Sequence, residues 1–542
     1  MSQQYDVVIV GSGINGLTSA AKLSGAKKRV ALLERAESIG GFIDSGELIS
    51  PGFTHDTFSS WHPLFMLSAA YADFGEDLHK FGLRYCNTDN TVTASVAKDS
   101  TGEIRAAVCY RDAEKTALSL EHAQDQDAYL AMLGDLEAWS PTIFGALGAE
   151  LKPWNLVKIL RNGLKSSRIS GLMQLLHQAM MSGRNYTRRT FAGWEVDQLW
   201  TPWLLHAGLG PDATTGGIML PVMAGSMHQA GLPIVQGGAK NFVAAFKRLL
   251  EARGVEIFTN TDITAIDLVK DTAVAAKTST GKIFEASDGI FASVGAQALY
   301  DDLLPHVPAL AEARSAAKQF QAGRGAIQIH LTLSAPVPWL VDELKTTPLV
   351  HVTNGSNNTA IACAQADAGY LPTQPTIVVG QQSMLDPTRA PDGSATLWLQ
   401  LQEAPYRPIA DSADEIPVDG QWTNDVKKMY LERVLKILEE YAPGLSGTVQ
   451  GSEFISPPDL EAVNPNAIHG DPYGGSAEIY QNLLWRPLSK ESGWSDPVKN
   501  LYHIGAAVHP GPGLGAGSGF IAAEKLLEKD DAPLGKLKFW QK

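Results

Sequence analysis

The amino terminus constrains this chain more than any other stretch. Tyr5-Asp6-Val7-Val8-Ile9-Val10 is a short run rich in β-branched residues, and it leads directly into Gly11-Ser-Gly13-Ile-Asn-Gly16. Leu17 to Leu23 then carries apolar residues at helical spacing. The pattern is a strand, a tight turn and a helix opening. Gly11 permits the turn, Gly13 lets backbone approach a pyrophosphate, and Gly16 allows the helix to pack closely on the strand. The helix N-terminus faces the anionic phosphates. Arg29 to Leu33 reads as a second strand ending at Glu34, whose carboxylate can accept hydrogen bonds from ribose hydroxyls. An isolated GxGxxG would say little. Here strand, helix, second strand and acid follow in order, and they predict a dinucleotide site in a doubly wound α/β unit.

The next residues extend that site. Glu34-Arg35-Ala-Glu-Ser-Ile-Gly40-Gly41 places a diglycine six positions after the ribose acid. This resembles the extended motif of FAD-binding oxidoreductases of the glutathione-reductase superfamily, so FAD is the expected cofactor. A second glycine-rich segment closes the chain. Asn500 to Ile504 reads as a strand, and Phe520 onward as a helix. Between them, glycines alternate at 511, 513, 515, 517 and 519. Such a run is poor strand and poor helix material. It suits backbone lying against a flat or anionic ligand with a helix N-terminus aimed at it.

Charge and cysteine use exclude several classes. Forty-four Lys and Arg stand against 58 Asp and Glu, a net charge of −14, which disfavours a nucleic-acid binder. Cys86, Cys109 and Cys363 lie far apart. They form no CxxC redox pair and no Cys-based zinc motif, no metal site is expected, and a reducing, cytoplasmic compartment is implied. No basic-then-apolar leader opens the chain, and no apolar run reaches bilayer-spanning length.

Gln198 to Ala239 carries a single charged side chain, Asp212, among Trp200, Trp203, Leu204, Leu205, Met219, Leu220, Met223 and Met227. It reads either as an apolar substrate tunnel or as the core of a second domain. Residues 151–194 hold eight bases and no acid. Leu156, Ile159, Leu160 and Leu164 give that stretch an apolar side. A basic amphipathic helix can lie on an anionic bilayer, giving peripheral membrane contact. The same stretch could equally be a solvated face, a subunit interface of a homo-oligomer, or a basic lid over an acidic substrate.

Taken together, the two ends and Pro233–Ile266 resemble the phytoene-desaturase-like family of FAD-dependent oxidoreductases. Gly52-Phe53, His79 to Leu83, Ile468 to Asp471 and His509-Pro510-Gly511 most resemble its subgroup of pyridine nucleotide-disulphide oxidoreductase domain-containing protein 2. The resemblance implies an α/β fold, with a Rossmann-type, glutathione-reductase-like FAD domain and an interleaved α+β substrate domain. Residues 1–85, 230–300 and 455–535 would form the discontinuous FAD domain. Residues 86–229 and 301–454 would form the substrate domain, helical and Trp-rich over 151–229. It also implies that Gly11, Gly13, Gly16, Glu34, Arg35, Gly41 and Ile263 meet the adenosine and diphosphate half. Gly505, Gly517 and the start of the last helix would lie by the ribityl chain and ring. Relatives of this fold often carry an Asp after the last strand, where Ala506 and Ala507 stand here.

The expected activity is two-electron oxidation of an apolar organic substrate, with hydride moving to flavin N5. The step would be desaturation at C–C, or oxidation at a C–O or C–N carbon. The electrons would leave to O2, a quinone or another acceptor. No second complete GxGxxG–acid unit follows, so no separate NAD(P)H-reducing domain is expected. His509, beside the expected ring, is the first candidate base, followed by His62 and His55, with His469 and Asp471 as further options. A flavin-dependent isomerase without net turnover and a non-catalytic FAD-bearing protein are the alternatives.

Overall fold

The computed structural model describes residues 2–488 and 497–531. Two seven-stranded sheets organise the chain. In the first, five strands run parallel in the order Leu501–Ile504, Ile283–Ser293, Ser2–Val10, Val30–Leu33, Glu256–Phe258. Val7, Val8 and Ile9 are fully buried, because parallel strands are covered on both faces. The helix Ile14–Gly25 makes the crossover from the first strand to the second. Lys240–Ala252 covers the same face, burying Phe242, Val243, Phe246, Leu249 and Leu250 at helical spacing. Ile263–Val269 and Thr272–Thr278 add an antiparallel hairpin to this sheet.

The second sheet is mixed. Its order is Val449–Ile455, Gly325–Leu333, Ala395–Ala404, Ile377–Gly380, Leu349–Val352, Thr91–Lys98, Ile104–Tyr110. Helix Asn424–Glu439 packs Val426, Tyr430, Val434 and Leu438 into its core. The chain therefore leaves the first sheet after Leu33, returns at Glu256, leaves again after Ser293 and comes back at Leu501. Fold class is α/β with interleaved layers, as the resemblance implies.

A buried ion cluster joins the layers. Arg389, with no exposed surface, lies 2.8 Å from Asp56 and 3.3 Å from Asp386. Its Nη2 also donates to the Val235 carbonyl at 2.7 Å. Asp56 accepts from the Ala239 amide, and Asp386 from the Gly237 amide. Neither residue type nor spacing announces this clamp, since its members are up to 333 positions apart (Asp56 to Arg389).

A long helical hairpin, Ala123–Leu147 and Pro153–Ala179, stands on the helix Gly216–Ala230. The second hairpin helix breaks at Arg168, whose φ is 57°. The apolar side expected there divides. Ile159 turns inward to the neighbourhood of Gly145, whereas Leu160 and Leu164 face solvent. No described helix is long and apolar enough to cross a membrane.

Candidate functional site: a cavity between two glycine turns

The two glycine-rich segments meet. Asn15, in the first turn of helix Ile14–Gly25, accepts through Oδ1 from the Gly519 amide at 3.0 Å and from the Ser518 hydroxyl at 2.9 Å. These partners are 504 and 503 positions away in sequence. Ser518 Oγ also accepts from the Gly505 amide, and Ser19 Oγ donates to the Gly519 carbonyl. A Cβ at Gly519 would run into the Asn15 carbonyl, so glycine is what allows the first and last helices to approach.

Between the turns opens a cavity with about 1920 Å³ of empty space, including its solvent-open mouth. One side is lined by Gly13, Ile14 and Asn15, the Gly40–Ile43 segment, and Gly505 to Ala507. Gly13 caps the first helix with no side-chain bond and with no acid in the first turn, so its leading amides are free for an anion. A Cβ added at Gly13 meets no protein atom within 4 Å and would project into open space. A Cβ at Gly41 would sit 3.2 Å from the Gly13 backbone. Glu34 is fixed beside this turn: it accepts from the Ser12 amide and hydroxyl at 2.9 and 2.5 Å and from the Ala36 amide at 2.9 Å. An anion cradle, a locked acid and a slot running to Gly505 fit FAD.

The expected cofactor residues separate into kinds. Gly13, Gly41 and Gly505 line the cavity. Gly11 and Gly16 do not, because they serve packing: Gly11 has φ +90°, and a Cβ on it would come 2.9 Å from the Ser293 carbonyl. A Cβ on Gly16 would strike the Gly11 carbonyl. Gly517 opens the last helix against Pro510. Ile263 is buried in the cluster that holds Val10 and Leu33, near the Thr261-to-Glu34 backbone bond. Arg35 is exposed and does not line the cavity.

The expected bases are placed differently from their anticipated role. None of the three lines the cavity. His509 Nε2 donates to the Ala146 carbonyl at 2.9 Å, tying the carboxy-terminal loop to the helical hairpin. His62 lies between two lining residues, Trp61 and Pro63, and alternation turns its ring into the core beside Phe242. Its Nδ1 is 3.1 Å from the Tyr85 hydroxyl, and burial pushes its pKa down to about 3. His55 is buried against His330, and burial lowers it to about 4. Of the further options, Asp471 does reach the cavity wall, but its oxygens are taken by the Gly323, Tyr473 and Gly475 amides. His469 packs on Tyr406.

The other side of the cavity is apolar. Trp61, Trp203, Trp398, Met223, Met227 and Leu232 form it, with His206, Gln328 and Gln400 as polar breaks. Gln328 and Gln400 are direct cross-strand partners. Sequence reasoning found Trp203 and the methionines but missed Trp61, Trp398 and His206, which reach the cavity only through the pairing of distant elements.

Similarity to known proteins agrees with this geometry. The family model for an NAD(P)-binding Rossmann-like domain matches residues 9–74. The rat pyridine nucleotide-disulfide oxidoreductase domain-containing protein 2 is 26% identical, over 96% of this chain and 93% of its own length. Hydroxyneurosporene desaturase of Rubrivivax gelatinosus is 25% identical over 97% and 94%. Among solved structures, an oxidoreductase from Methanosarcina mazei superimposes with a TM-score of 0.60 at 14% identity, covering 97% of this chain and all of that one. With the glycine turns meeting around an FAD-compatible slot, the chain is an FAD-dependent oxidoreductase similar in sequence, over nearly its whole length, to phytoene-desaturase-like enzymes.

Proposed function

We propose that this enzyme oxidises an apolar organic molecule held in the aromatic side of the cavity, by desaturation at C–C or by oxidation at a C–O or C–N carbon. The observation that carries this reading is the continuity of one cavity from the Gly13 and Gly505 turns to the wall of Trp61, Trp203, Trp398 and Met227. Bound FAD supplies a two-electron acceptor at its ring. The protein's own contribution is placement: indole and thioether walls exclude water, and a shaped apolar surface orients the substrate toward the flavin side. No histidine expected as a base reaches the cavity, so positioning carries more of the work than proton transfer by those residues. An anaerobic screen tests this. Apolar alcohols, amines and alkenes should include compounds that bleach the flavin absorbance, and a panel in which only polar compounds do so would overturn the reading.

We further read the helical hairpin as a contact for an anionic bilayer, from which an apolar substrate could enter. Trp154 is 82% exposed, and Val157, Leu160, Leu164, Ile169 and Met173 are exposed along the same helix. Lys158, Arg161, Lys165 and Arg168 are exposed on the adjoining side. Cations beside unburied apolar side chains, in a chain of net charge −14, match a negatively charged lipid surface better than bulk water. The hairpin packs on helix Gly216–Ala230, which supplies Met223, Ser226 and Met227 to the cavity. Co-sedimentation should occur with phosphatidylserine vesicles and fall sharply with pure phosphatidylcholine or with Trp154→Ser/Leu160→Ser. Equal binding to both vesicle types, or self-association through this face, would sink the membrane reading.

A further inference from the structure

One polar pair on the aromatic side of the cavity has no part in the reading above. His206, at the end of the Pro202–Ala207 turn, lines the cavity. Its Nε2 lies 3.0 Å from Nε2 of His351, on the strand Leu349–Val352. Trp203 braces both rings, with centroids 4.5 Å from His206 and 5.1 Å from His351. His351 is fully buried, and its Nδ1 has no hydrogen-bond partner.

Two facing ring nitrogens can bond only if one carries the proton. Were His206 the donor, neutral His351 would carry its own proton on Nδ1, a buried N–H with no acceptor. Folded proteins leave donors orphaned more rarely than acceptors. The cheaper arrangement has His351 Nε2–H donating and His206 Nε2 accepting. His206 then carries its proton on Nδ1. That atom has no hydrogen-bond partner among the described residues, and His206 is a partly exposed residue of the cavity wall. Burial lowers the pKa of His206 to about 3 and that of His351 well below the ordinary range, so both rings are neutral at physiological pH.

We propose that His206 Nδ1–H is a recognition donor for one hydrogen-bond-accepting oxygen on an otherwise apolar substrate, and that His351 is the positioning residue that fixes the His206 tautomer. This deepens the proposed function and rests on its assignment of the substrate chamber. It selects an oxygen-bearing apolar compound, such as a ketone or alcohol, over the hydrocarbon of the same skeleton. The physical basis is that a donor built to meet an oxygen is left unpaired by an analogue lacking one.

Titration of the FAD-loaded protein with carvone and with limonene, read by flavin absorbance and tryptophan fluorescence, tests it. These probes share a skeleton and differ by one carbonyl oxygen. His206→Phe should weaken carvone about tenfold relative to limonene. His206→Asn, which keeps an N–H near the Nδ1 position, should restore part of the difference. His351→Leu should weaken carvone in the same direction, whereas His351→Gln, whose amide can still donate to His206 Nε2, should not. Nitrogen-15 NMR of labelled imidazoles should show His206 protonated at Nδ1 and His351 at Nε2. Equal losses for both probes in His206→Phe would reduce His206 to an inert wall. The opposite tautomers would overturn the positioning role of His351. If neither probe perturbs the wild-type protein, the substrate chamber itself is misassigned and this inference fails with it.

Discussion

The two sides of the cavity are made of opposite materials. The flavin side is backbone: glycines, uncapped helix amides and one locked carboxylate. The aromatic side is side chain: three indoles, two thioethers and a braced imidazole pair. A backbone-built surface recognises a phosphate by approach distance, and any added Cβ can spoil it. A side-chain-built surface recognises shape and can be re-cut without losing the fold. One protein thus combines a fixed cofactor grip with an adaptable chamber.

The sharpest way to break the comparison is Gly13→Val. No protein atom lies within 4 Å of the added Cβ, so the chain should fold and keep its circular dichroism but purify colourless. Retention of stoichiometric FAD would show that Gly13 does not face the pyrophosphate. Next in size is Arg389→Met, which leaves Asp56 and Asp386 buried without their cation. Stability should fall by about 3–5 kcal/mol in denaturant melts, with the two layers unfolding together. A loss below 1 kcal/mol would show that the clamp does not join them.

Acid tests the buried rings. His55, His62 and His330 are held neutral by burial, at about 4, 3 and 3. Their unfolded-state values lie near 6.5, so the unfolded chain binds more protons below that pH. Their stabilisation is complete above about pH 6.5 and is lost as pH falls toward 4, by up to about 1.4 kcal/mol per pH unit for each ring. Melting temperatures flat from pH 7 to 5 would contradict the buried, neutral assignment. Smallest of all is Leu160→Ser on the hairpin. Leu160 is 55% exposed, so stability should change by no more than about 0.5 kcal/mol while vesicle binding drops. A large loss of stability would show that the face is covered within the protein.

Legibility in the sequence followed contact range. The turn at Gly11–Gly16, the strand on either side and the acid at Glu34 were readable because their partners lie within about one βαβ unit. The alternating glycines before Phe520 read as a ligand-facing segment, but among them only Gly513 lines the cavity, whereas Gly517 and Gly519 make room for Pro510 and Asn15. The candidate bases were not. His62 sits between two cavity residues, and sequence cannot show that the chain's alternation turns its ring inward. His509 sits in the expected loop but is held by Ala146, a carbonyl 363 positions earlier. His206 gave no signal beyond lying in an uncharged stretch, since its meaning comes from His351 on a distant strand.

The sequence by itself determined a dinucleotide-type turn at the start of this chain and a glycine-rich strand-to-helix turn at its end, because short-range sterics of glycine and helix termini dictate both. Only the tertiary structure decided that these grips face one another through Asn15 and Gly519, and which indoles, methionines and histidines close the chamber between them. Such contacts depend on the order in which strands pair, and sheet order is set by the burial of the whole core and not by any local run of residues.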